Sequence, residues 1–78
     1  MQPDFYMTND WYIAEVFEAD RLIKENGADK DELVTKAYAE LGKFSVAWLR
    51  FLEEGQAAER QLSDAQITMR RAVGAVYL

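Results

Sequence analysis

A chain of 78 residues with no cysteine, no histidine and a net charge of −5 forms one domain at most. Disulfides and thiolate zinc sites are excluded, and the commonest metal ligand is missing. An acidic total argues against a phosphate-backbone partner, which needs clustered Lys and Arg. Half of the residues are hydrophobic and 13% are aromatic, a generous supply for so short a chain. It is still marginal: folding alone would bury ~8,000 Å², worth ~120 kcal/mol, against ~120 kcal/mol of lost conformational entropy. With disulfides and metals removed, the remaining routes to stability are close helix packing, self-association or a partner.

Residues 1–8 form a short N-terminal arm that carries Pro3, Phe5, Tyr6 and Met7. Thr8 or Asn9 is placed to cap a helix by accepting a backbone N–H bond. That helix is expected over about 10–26, with Tyr12, Val16, Ala19 and Ile23 as its apolar stripe. Glu18–Arg21 and Arg21–Glu25 are favourable surface pairs. Gly27, free to enter the left-handed region, is expected to stop it. A rival reading pairs 5–8 with 11–17 as a hairpin around Asn9-Asp10, against which the helical stripe and Glu15 argue.

Asp29 and Glu32 resemble a capping box and predict a second helix over 29–54. Its stripe of Val34, Ala37, Leu41, Phe44, Trp48 and Phe51 alternates spacings of three and four. Projected on a helical wheel, the apolar arc widens to take in Tyr38, Leu49 and Leu52, which is more than one neighbouring helix covers. Gly42 and Ser45 lie near one edge of that arc, where another backbone can approach closely.

A third helix is expected over 57–77, with Ala58, Leu62, Ala65, Met69, Ala72 and Val76 inward. Ile67, Val73, Tyr77 and Leu78 would form a second apolar patch. The predicted fold is therefore all-α: a single domain over 1–78, made of three antiparallel amphipathic helices in a small bundle that dimerisation completes.

The sequence supplies little for catalysis. Without His or Cys, acid–base and nucleophilic roles fall to carboxylates, hydroxyls, Lys or Tyr. Glu15 and Glu18 are expected on a solvated face, no Gly-rich phosphate loop is present, and no metal or cofactor is expected. Nor is a membrane partner: no stretch is long and apolar enough to span one, the N-terminus lacks the pattern of a secretory signal, and the expected compartment is the cytoplasm.

Interaction is the better-supported theme. Phe5, Tyr6, Trp11 and Tyr12 are the candidate partner-binding residues, because aromatic side chains dominate contact energies. Tyr38, Leu41, Phe44, Trp48, Leu49, Phe51 and Leu52 are the expected core or oligomer seam. The expected function is a homo-oligomeric, non-enzymatic module that regulates or inhibits a protein partner, in the manner of an accessory or antagonist factor of a mobile element. Two alternatives stand beside it: a nucleotide held between the helices, and a structural subunit of a larger assembly.

Overall fold

A computed structural model describes residues 8–78; the expectations placed on Phe5 and Tyr6 lie outside this range. Three α-helices, α1 (Asn9–Asn26), α2 (Asp31–Glu54) and α3 (Glu59–Tyr77), are joined by a short loop and by a 3-10 turn over Gly55–Ala58. No strand occurs among the described residues, so the hairpin around Asn9-Asp10 does not form.

The all-α class holds, but the division into three separate helices needs correction. No non-helical residue interrupts the chain from 31 to 77, so the backbone makes two continuous helical segments, 9–26 and 31–77. The second folds back on itself at Gly55. Its φ of +64° and ψ of −135° lie in a region that a side chain disfavours and glycine accepts. Ala57, Ala58, Glu59 and Arg60 favour helix strongly, so the chain re-enters helical geometry at once.

Thr8 caps α1 by accepting a bond from the Trp11 amide at 3.2 Å. At the other end Gly27 has φ −91°, outside the left-handed region; the residue with positive φ is Asp29, at 66°. The expected capping box therefore does not form. Asp29 is used for the bend, α2 begins at Asp31, and its Lys30 cap position makes no side-chain capping bond. An Asp tolerates the left-handed region better than most residues do.

Gly27 is required for space rather than for conformation. A Cβ there would lie 2.5 Å from Val34 Cγ2 and 2.7 Å from the Ile23 carbonyl oxygen. Gly27→Ala is expected to destabilise the fold by about 1–3 kcal/mol through overpacking, measured as a lower urea midpoint with an unchanged slope.

Lys30 Nζ donates to the Val76 carbonyl at 2.6 Å, which sets the start of α2 beside the end of α3. Tyr38 Oη donates to Asp20 at 3.0 Å and Tyr12 Oη to Ser45 Oγ at 2.9 Å, so α1 also runs antiparallel to α2. The core lies between the three helices. Phe44, Ile23, Leu62, Met69 and Val76 are fully buried, and Ala19, Ala37, Ala58 and Ala72 allow close helix approach. Val73, assigned by the sequence to an outer patch, is buried, whereas Ile67, Tyr77 and Leu78 are exposed.

Candidate interaction surface

The N-terminal turn of α1 is locked onto α2 by aromatic rings. Tyr12 stacks on Trp48 with centroids 4.8 Å apart and planes 5° apart, and Trp11 meets Phe44 edge-on at 5.7 Å. Trp11 also packs against Trp48 at 5.9 Å, and Phe51 stacks on Trp48 at 5.6 Å. Such ring pairs add about 0.5–1.5 kcal/mol each beyond the area they bury. Trp11 and Tyr12, expected to face a partner, are thus half-buried and engaged in joining two helices of their own chain.

The expected seam of α2 divides in two. Leu41, Phe44 and Trp48 are buried and Phe51 is partly so. Tyr38 is 38% exposed, Leu49 60% and Leu52 57%. Val46 joins the exposed group, and α1 contributes Ile13 and Phe17, the latter 75% exposed. Ile13 and Phe17 share a stripe with Asp20, whose bond to Tyr38 fixes that flank of α1 beside α2. The sequence carried this signal as a second spacing of four and three through Ile13, Phe17 and Asp20, which the stronger stripe through Tyr12 obscured.

On α2 the same flank has its own periodicity. Thr35, Ala39, Gly42, Val46 and Leu49 are spaced four, three, four and three, and all are exposed. Projected at 100° per residue, the sector they share with Tyr38, Ser45 and Leu52 holds no charged side chain between Thr35 and Leu52; Asp31 and Glu53 fall in it beyond its two ends. A Cβ at Gly42 would meet nothing within 4 Å. The result is an uncharged shelf along α2, bordered by Ile13 and Phe17.

A second concavity lies between α1 and α3, a cleft of about 300 Å³ lined by Glu15, Glu18, Leu22, Arg70 and Tyr77 among others. Glu15 was expected on a wet face but turns toward α3. Its carboxylate accepts two bonds from Arg70, at 2.5 and 2.9 Å, and that pair raises the Arg70 pKa. With its guanidinium engaged and two carboxylates in its wall, this cleft repels an anion, which counts against a nucleotide there. Among the described residues no three acidic side chains gather as a cation site, and no helix is long and apolar enough to cross a membrane.

Surface charge on α1 is expected to make the fold mildly acid-sensitive. Hydrogen bonds from Arg21 hold the Glu18 carboxyl below its ordinary value, and bonds from Lys24 and Tyr38 do the same for Asp20. A carboxylate whose pKa is lower in the folded state adds stability above its unfolded pKa and loses it as pH falls through the folded value. The melting temperature is therefore expected to be flat above about pH 5 and to fall below about pH 4. Because the groups are exposed, added salt should flatten that decline; a decline unaffected by salt would point to other groups.

Comparison with protein-family models, with curated proteins and with solved structures gives no match.

Proposed function

We propose that this protein is a non-enzymatic interaction module that works as a self-associated unit and regulates or inhibits a protein partner by occupying its surface. The observation that carries the reading is the uncharged shelf on α2 bordered by Ile13 and Phe17, an apolar surface of the kind that marks association rather than chemistry. The residue inventory supports it: without His or Cys the chain has few groups suited to nucleophilic or acid–base work, and the cleft between α1 and α3 is walled by an engaged ion pair.

Affinity capture from the native host, followed by assay of the captured protein, tests the regulatory half of the proposal. The expected result is one protein held in stoichiometric amount, with its activity changed by added chain. No captured protein, together with a thermal shift on adding nucleotides, would replace this reading with ligand binding.

A further inference from the structure

We propose that the occupant of the α2 shelf is a second copy of the chain, docked antiparallel about a two-fold axis that passes near Gly42 and Val46. This inference rests on the self-associating part of the proposed function and specifies the surface and register.

Size is the first argument. At their observed exposures, Ile13, Phe17, Val46, Leu49 and Leu52 together present on the order of 600 Å², at the upper end of what a monomer leaves bare. One partner's share of a standard interface is about 800 Å², and the small side chains and backbone between these residues supply the remainder.

Shape is the second. The shelf is narrow at one end, with Thr35, Ala39 and Gly42, and bulky at the other, with Val46, Leu49 and Leu52. An antiparallel two-fold sets Val46 of each copy over Gly42 of its partner, and Leu49 over Ala39. Large side chains then enter the spaces left by small ones, as close packing requires. A parallel arrangement would stack Gly42 on Gly42 and Leu49 on Leu49, leaving a void at one end and a collision at the other. An isologous surface must be complementary to itself, and this one is so in the antiparallel sense.

Charge is the third. The shelf holds no ionised group between Thr35 and Leu52, so bringing two copies together desolvates no charge at its centre. Lys36, Lys43 and Arg50 lie outside the shelf sector at its edge, the distribution of an apolar interface core with a polar rim. In this register Arg50 opposes Tyr38 and Glu53 opposes Thr35, and the like charges that approach, Glu53 of one copy and Asp31 of the other, stay about one turn apart at the two ends, where solvent screens them.

The test uses Gly42→Arg. The space around that position is open and replacing a helical glycine favours the helix, so the monomer should stay folded by circular dichroism. Light scattering is expected to give about 18 kDa for the wild type, twice the 9.0 kDa chain. Gly42→Arg should scatter as one chain and associate at least about 100-fold more weakly, while Ile67→Arg on α3 should match the wild type. Because the chain has no cysteine, a mixture of Gly42→Cys and Val46→Cys proteins reads the register: mixed disulfides between the two should exceed those within either.

A Gly42→Arg protein that remains dimeric would overturn the inference and leave the self-association reading standing. So would cross-linking that favours Gly42→Cys with itself, which would exclude the antiparallel register. A wild type that is monomeric at all concentrations would overturn both, and would leave the shelf to a different protein or to the chain's own N-terminal segment.

Discussion

Trp48→Ala is expected to cost about 3–5 kcal/mol and to lower the melting temperature by about 15 °C or more. Trp48 is 4% exposed and touches three other rings, Trp11, Tyr12 and Phe51. Removing it deletes the surface on which the first turn of α1 is seated and leaves a cavity between α1 and α2. A domain of this length holds about 4–12 kcal/mol in total, so the variant should be largely unfolded at modest urea concentration. Thermal melts followed by circular dichroism check this. A double-mutant cycle with Tyr12→Ala should give a coupling of about 0.5–1.5 kcal/mol for the stacked pair. Additive effects would mean that Trp48 acts through general burial rather than through its rings.

Leu62→Ala is expected to cost about 2–5 kcal/mol. Leu62 is fully buried and sits one turn beyond Ala58, where α3 leaves the 3-10 turn. Leu62 reaches from α3 into the buried cluster that also holds Trp48, so the substitution weakens the α2–α3 hairpin from its α3 side. If the two helical segments unfold together, tryptophan fluorescence, reporting the α1–α2 contact, and helical circular dichroism should lose stability by the same amount. Separate midpoints would show that α1 detaches first and that the hairpin is a unit of its own.

The alternating spacings through Val34–Phe51 and Ala58–Val76 made the inner faces of α2 and α3 readable, because a stripe of that period can be buried in only one way. The cap at Thr8 and the stop after Asn26 were equally legible. The bend between α1 and α2 was not: Asp29 and Glu32 have the residue types of a capping box, but the turn after Gly27 needs a left-handed residue and Asp29 fills it. The continuity from 31 to 77 was missed because glycine reads as punctuation, whereas Gly55 reverses the chain without breaking its helical character.

At the candidate surface the wide arc of α2 was visible, but the sequence placed Tyr38, Leu49 and Leu52 in one core or oligomer seam with Leu41, Phe44, Trp48 and Phe51 and did not separate the exposed residues from the buried ones. Sequence could not tell which aromatic residues would meet one another. Trp11 and Tyr12 are as suited to a partner as to a core, and only the antiparallel seating of α1 assigns them inward. Ile13 and Phe17 went unnoticed for the complementary reason: next to a strong stripe, a weaker one reads as background.

If one copy of the chain leaves an apolar flank bare and a second copy covers it, folding and association are linked. The melting temperature measured across a hundredfold range of protein concentration tests this most directly. Linkage predicts a rise of about 5 °C or more from the lowest to the highest concentration, by mass action. A melting temperature independent of concentration, in a protein that stays at 9.0 kDa throughout, would contradict it.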